Sequence, residues 1–267
     1  MKPLISAEEV RNLRPAQVWD VRDESAYLAG HWPDAFALDV KHWESRARTP
    51  GHSLDQAAEW ERELGRLGID ESTPVLIYDD GRMTEAARVW FIVQLYGVDA
   101  RVIDGGWKSL ARVLPPSGAD MTAHMPAATT YRSPTGYEPA VKLVTRQALR
   151  DNLLGQVQVL DARTASEFSG VDLRSNSRGG HLPGAKSLPH AGLLTGDGTL
   201  KNTNQLRASL QEAKVGLDRP VVTHCDAGGR AALAALAAVA AGHRDVSAYY
   251  LSYSDWAADG TCAVTLE

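Results

Sequence analysis

Short runs of β-branched and aliphatic residues recur along this chain, each followed by a stretch with helical spacing. Residues 6–13 read as a helix, where Ser6 can cap the first turn and Glu9 stands three positions on. A short apolar strand follows and ends in a charged turn, Val18-Trp19-Asp20-Val21-Arg22. Amphipathic spacing predicts helices over 54–67 and 84–96. Between them, Pro74-Val75-Leu76-Ile77-Tyr78-Asp79 predicts a buried strand. The second half runs in the same order. Residues 145–153 read as a helix, and Val157-Gln158-Val159-Leu160-Asp161-Ala162-Arg163 as a strand and charged turn. Pro220-Val221-Val222-Thr223-His224-Cys225 reads as a second buried strand, with helices over 204–213 and 229–241. Strands alternating with helices predict an α/β fold, with a mainly parallel sheet covered by helices on both faces. Ligands of such sheets sit beyond the carboxyl ends of the strands, where Asp79 and Cys225 both stand.

The two halves are copies of one pattern. A step of 146 carries Asp79 onto Cys225, and Val102-Ile103-Asp104 onto Tyr249 and its neighbours. Gly30-His31-Trp32-Pro33-Asp34-Ala35 returns as Gly180-His181-Leu182-Pro183-Gly184-Ala185. Between the copies, residues 114–140 hold five prolines and four threonines with few aliphatic residues, which is linker composition. The chain is therefore expected to form one domain over 1–118, a linker over 119–140 and a second domain over 141–267.

Charge and composition narrow the partners. The formal net charge of −5 argues against a general nucleic-acid or anionic-membrane surface. No apolar run approaches the roughly 20 residues that span a bilayer; residues 231–241 are too few and mostly alanine. The opening MKPLISAEEV lacks the apolar core of a signal peptide, so a cytoplasmic protein is expected. Cys225 and Cys262 are the two cysteines, too few for a disulfide framework. Neither lies in a pattern with metal-ligand spacing, so no metal site is expected.

The chemistry concentrates in Thr223-His224-Cys225-Asp226-Ala227-Gly228-Gly229-Arg230 and the alanine-rich helix after it. A helix start leaves several backbone N–H groups unpaired and carries partial positive charge. Gly228 and Gly229 let the loop curl so that N–H groups point inward as an anion nest. Arg230 adds a full charge. A cysteine in such a cup is expected to be held as thiolate, with the amides of Asp226, Ala227, Gly228, Gly229 and Arg230 binding an anionic ligand. The plainer reading is an inert buried thiol at a strand end, but such a thiol does not need a glycine pair and an arginine behind it.

These residues resemble the tandem-domain rhodanese family, the thiosulfate and mercaptopyruvate sulfurtransferases. The resemblance covers essentially the whole chain. It rests on Asp20-Val21-Arg22 and Asp161-Ala162-Arg163, on the two Gly-His motifs (Asp34 replacing glycine in the first), and on the Cys225 loop. The closing Tyr250-Leu251-Ser252-Tyr253-Ser254-Asp255-Trp256 resembles the family's last segment with substitutions. The resemblance implies two rhodanese-like domains, of which only the second is catalytic, since Asp79 stands where Cys225 stands in its copy. It also implies a double displacement. The Cys225 thiolate takes the outer sulfur of a small anionic donor whose sulfonate or carboxylate Arg230 would orient, and the persulfide passes it to cyanide, a thiol or an acceptor protein. No cofactor is required.

Several positions qualify the resemblance. Asp226 is acidic beside the nucleophile and should weaken the local positive potential unless its side chain turns away. Glu167 stands where family members that bind donors through an arginine place that arginine, which favours a thiosulfate-type enzyme. Arg178 either reaches the cleft or is a solvated loop charge. His224 neighbours Cys225 but should point away from it, because successive strand residues alternate sides. His31 and His181 recur in both copies, which favours a structural hydrogen bond. Cys262 reads as an incidental thiol, with a disulfide to Cys225 as the alternative. Trp90, Trp107 and Trp256 read as packing residues. Two rival functions remain. A cysteine phosphatase also uses His-Cys, a glycine-containing loop and an arginine, but places five residues between Cys and Arg where this chain has four. A sulfur-relay module would deliver sulfur to a protein.

Overall fold

Each apolar run forms a strand buried on both faces, because helices cover both sides of the sheet to which it belongs. The structure, a computed structural model, describes residues 2–10, 16–70, 72–113 and 126–266. The chain divides into two compact units, Met1–Pro139 with Gly196–Thr199, and Ala140–Thr195 with Leu200–Glu267.

The first unit runs β1 (Leu4–Ile5), α1 (Ala7–Val10), β2 (Gln17–Asp20), α2 (Glu24–Leu28), β3 (Phe36–Ala37), α3 (Val40–Arg48) and α4 (Ala57–Arg66). It continues with β4 (Val75–Tyr78), α5 (Thr84–Gln94), β5 (Ala100–Ile103) and α6 (Gly106–Val113). The sheet order is β1-β5-β4-β2-β3, with every neighbouring pair parallel. β4 is central and all four of its residues are buried. α5 packs behind it, buried on all sides from Ala86 to Gln94.

The second unit repeats this plan. It runs β6 (Lys142–Leu143), α7 (Arg146–Ala148) widening into a π turn over Leu149–Leu153, β7 (Gln158–Asp161), α8 (Ala165–Phe168) and β8 (Lys186–Ser187). A 3₁₀ turn over His190–Leu193 leads to α9 (Thr203–Glu212), β9 (Val221–His224), α10 (Gly229–Ala240), β10 (Val246–Ala248) and α11 (Ser252–Ala258). The sheet order β6-β10-β9-β7-β8 matches the first, again wholly parallel. β9 is central and fully buried. α10 is buried from Ala231 to Ala238, and its small side chains let it lie close against the sheet. Trp90 and Trp256 are core residues, as expected.

The expected linker divides differently. Its residues 119–125, and the end of the first expected helix, lie outside the described residues. Residues 126–139 belong to the first unit. Thr129 N–H donates to Gly65 O at 2.8 Å, and the buried Tyr131 donates its hydroxyl to Tyr96 O at 2.8 Å. Backbone pairing and one buried ring fasten this proline-rich segment, and neither leaves a hydrophobic period in the sequence.

The repeated Asp-x-Arg and Gly-His motifs prove to be one device. Arg163 holds Asp161 through Nε (3.0 Å to both oxygens) and Nη2 (2.6 Å), and Nη2 also donates to Gly180 O at 2.8 Å. Arg22 does the same with Asp20 and with Gly30 O at 2.7 Å. The guanidinium therefore pins the strand end to the Gly-His loop in each unit. The histidines complete the pin. His31 stacks on Tyr27 and His181 on Phe168, with Nδ1 at 3.0 Å from Tyr27 O and 3.1 Å from Phe168 O. The structural role expected for both is what the geometry shows.

Asp161 and Arg163 are almost wholly buried, so removing one partner strands a charge in a low-dielectric interior. Arg163→Met is expected to cost about 3–5 kcal/mol. The measurement is the urea midpoint of the second unit's unfolding transition.

Candidate active site

β9 ends at His224, and Cys225 is the first residue beyond it. The loop turns through Gly228 at φ +98°, and α10 begins at Gly229. Only glycine fits this turn, since a Cβ on Gly228 would lie 2.7 Å from the Tyr250 ring and 2.8 Å from its carbonyl oxygen. The Gly228 N–H points at the Cys225 Sγ, 3.0 Å away. A second turn clamps the loop from above. Tyr253 N–H donates to Cys225 O at 2.9 Å, and Ser254 N–H to Asp226 O at 3.1 Å. Ser252 Oγ accepts the Cys225 N–H at 3.1 Å, donates to Tyr249 O at 2.9 Å and lies 3.8 Å from Sγ. Cys225 is buried, held by an amide on one side and a hydroxyl on the other.

The first unit shows what this cup is for. The corresponding loop places Asp79 after β4, and its carboxylate takes four backbone N–H groups at the head of α5. Gly81 and Met83 donate to Oδ1 at 2.9 and 3.1 Å, and Glu85 and Ala86 to Oδ2 at 3.2 and 3.3 Å. Burial pushes the Asp79 carboxyl up, and these N–H groups oppose that shift. The first cup is filled by a carboxyl group of its own chain; the second holds a thiol.

Arg230 departs from expectation. Its guanidinium does not stand free, because Nη1 and Nη2 meet the two oxygens of Glu167 at 2.6 and 2.7 Å. Glu167 is buried and also closes a capping box at the head of α8, accepting from Thr164 N at 3.0 Å. Burial pushes its carboxyl up, but the bonds from Arg230 and Thr164 outweigh this and hold it at about 2. Burial lowers the Arg230 pKa, but the bonds to Glu167 outweigh this and raise it.

The other candidate residues fall out as follows. Asp226 is turned toward the preceding loop, where Oδ1 accepts from Asn176 Nδ2 at 2.7 Å. Ala227 and Gly228 form the turn and Gly229 opens α10. His224 is wholly buried with Nε2 3.4 Å from Asp161, and burial lowers its pKa. In the first unit Tyr78 fills that place, donating to Asp20 at 2.7 Å, so His224 belongs to the scaffold. Arg178 neither lines the cleft nor is solvated. It donates to four backbone carbonyls, Trp256, Ala257, Asp259 and Cys262, at 2.6–3.0 Å, which fastens the C-terminal segment. Cys262 lies in the core beneath that segment as a free thiol, and burial pushes its pKa up. The sequence reading missed Ser252 and Asn176. Ser252 adopts φ +62°, where the first unit has Gly106 at +55°. A serine in a glycine's place, found by carrying the repeat one element further, was the available signal.

The family model for the rhodanese-like domain matches residues 6–112 and again 145–259. The chain belongs to the rhodanese family. It carries the domain twice, and among its relatives are named sulfurtransferases along most of its length. It is 30% identical to human 3-mercaptopyruvate sulfurtransferase, over 94% of this chain and 89% of that one. It is 28% identical to chicken thiosulfate sulfurtransferase, over 91% and 83%, and 26% identical to the Escherichia coli 3-mercaptopyruvate sulfurtransferase, over 96% and 90%. The solved structure of YnjE shares the fold with a TM-score of 0.80 at 21% identity, covering 99% of this chain and 68% of that one.

Two outcomes test this geometry. Gly228→Ala is expected to slow alkylation of Cys225 by iodoacetamide at least tenfold, as the loop yields to Tyr250 and the amide leaves Sγ; a roughly tenfold change corresponds to one ordinary hydrogen bond. The second concerns acid stability. The Glu167 carboxyl is lowered on folding, so its stabilisation is complete above the ordinary carboxylate value of 4.5 and is lost as pH falls toward about 2. Glu167→Gln should flatten the fall of the urea midpoint across that window and leave its slope near pH 7 unchanged.

Proposed function

We propose that this rhodanese moves a sulfane sulfur from thiosulfate to a thiophilic acceptor, cyanide or a thiol, through a persulfide on Cys225. The observation that carries this reading is the Cys225 Sγ set against the Gly228 amide at the head of α10. In the first half-reaction the thiolate attacks the outer sulfur of thiosulfate. The S–S bond of the donor breaks, sulfite leaves with the bonding pair, and the terminal sulfur of the persulfide keeps the negative charge. In the second, cyanide attacks that sulfur, thiocyanate leaves and the thiolate returns. Charge balances in both steps, and the division predicts ping-pong kinetics.

The loop amides from Asp226 to Arg230 stabilise the charge on the terminal sulfur. Thiosulfate is the favoured donor because the arginine fork, which suits a carboxylate, is already occupied by Glu167. The first unit contributes no nucleophile, since Asp79 fills its cup.

Treatment with thiosulfate should add the mass of one sulfur to the peptide bearing Cys225. Cys225→Ser should abolish both the adduct and turnover while the fold persists. Thiosulfate should give a higher kcat/KM than mercaptopyruvate. Full sulfur transfer by Cys225→Ser would end this reading.

A further inference from the structure

The ion pair beside the thiol has no counterpart in the first unit. The Asp-Arg pin, the stacked histidine, the helix cap and the central strand all recur there. Aligning the two Asp-x-Arg turns places Ala26 opposite Glu167, and the step of 146 places Thr84 opposite Arg230. The pair is therefore absent from the copy that holds no nucleophile.

Its geometry is that of a guanidinium with a bound carboxylate. Arg230 offers two parallel N–H···O bonds of 2.6 and 2.7 Å, the arrangement by which arginine recognises carboxylate ligands. Glu167 does not depend on Arg230 for its position. Its Oε2 takes the Thr164 amide at 3.0 Å and the Thr164 hydroxyl at 2.9 Å, and its side chain is 1% exposed. The carboxylate is thus fixed by its own helix, and Arg230 comes to it from the first turn of α10.

We propose that Glu167 is a specificity-determining residue: an internal carboxylate that occupies the Arg230 fork and so denies it to sulfur donors anchored by a carboxylate. Donors that end in a sulfonate have a second means of being held, the backbone amides of the cup, as oxyanions are held at helix N-termini, and so depend less on the fork. This rests on the persulfide reading of Cys225. Glu167 touches neither the donor nor the transferred sulfur; it acts through Arg230.

Glu167→Gln tests the proposal, because glutamine also completes a capping box but offers a single acceptor oxygen in place of two. The KM for mercaptopyruvate is expected to fall about tenfold, the gain of one bidentate charge-assisted contact, with kcat changing less than about twofold. The KM for thiosulfate should change less than about threefold. The double variant Glu167→Gln/Arg230→Gln should lose the gain. A parallel shift for both donors, or a gain that survives in the double variant, overturns the proposal. The unaltered protein gives a second measurement free of folding effects. Sulfate should protect Cys225 from iodoacetamide at concentrations about tenfold lower than pyruvate does, and equal protection by pyruvate overturns the proposal. Failure of the parent reading looks different: with neither donor does wild-type enzyme gain a sulfur on Cys225. A sulfur adduct with an unaltered donor preference removes only the role of Glu167.

Discussion

The first turn of the helix behind the central strand sets the terms for each unit. Its N–H groups have no partner within the helix and carry the positive end of the helix dipole. They lie where the sheet and the covering turn keep water out, so something within the chain must meet them. In the first unit the Asp79 carboxylate does so with both oxygens and four N–H groups. In the second unit Cys225 brings one sulfur to the Gly228 amide. A carboxylate reaches further from its Cα than a thiolate does. A second sulfur on Cys225 lengthens that side chain by one atom, toward the first-turn amides that follow Gly228. On the proposed chemistry, the loaded enzyme completes a ring that the first unit completes with its own side chain.

Repetition separates scaffold from site. The bonds shared by both units hold the architecture: the Asp-Arg pin, the Gly-His loop and the amide of residue 107 or 253 returned to the carbonyl of residue 79 or 225. The guanidinium of the pin also lies over the ring at that same position, Trp107 in one unit and Tyr253 in the other, 4.4 and 3.9 Å from the ring centre. Among the differences, those at the rim of the cup are Cys225, Ser252, Glu167, Arg230 and the insertion that carries Asn176. The strand, the helix behind it and the covering turn are common to both, while the loop itself turns differently, through Gly81 and Met83 at positive φ in the first unit and through Gly228 in the second.

The same division explains what could be read from the sequence. The central strands, their order of occurrence and the helices behind them were legible because β-branched runs and helical periods are local signals, and the 146-residue step doubled each of them. Helix ends differ from expectation by up to three residues, as at α4, which starts at Ala57 rather than residue 54, while α9 starts one residue early at Thr203. The position of Cys225 was legible because strand, thiol, glycine pair and helix are contiguous. The packing of residues 126–139 was not, since it rests on backbone bonds to Gly65 and on the single ring of Tyr131. Nor was the Glu167–Arg230 pair, whose members lie 63 positions apart. Each was visible alone, Glu167 as a missing arginine and Arg230 as a free charge. Only the fold shows that one answers the other.

That pairing is hard to explain as a stabilising device. Taking two charges out of water costs about as much as their attraction returns, so a buried pair gives little net stability over apolar residues of the same size. The cap at the head of α8 needs an acceptor at residue 167 but not a charge, and glutamine would serve it. The first unit folds to the same sheet order with alanine and threonine at the two positions. What the charged pair alone supplies is an arginine in the first turn behind the thiol whose fork is occupied. The paired carboxylate offsets most of the guanidinium's field at the cup, and the hydrogen-bonding edge that would seize a carboxylate is spent. On the proposed reading, it is the occupied fork that accounts for a pair the fold does not require.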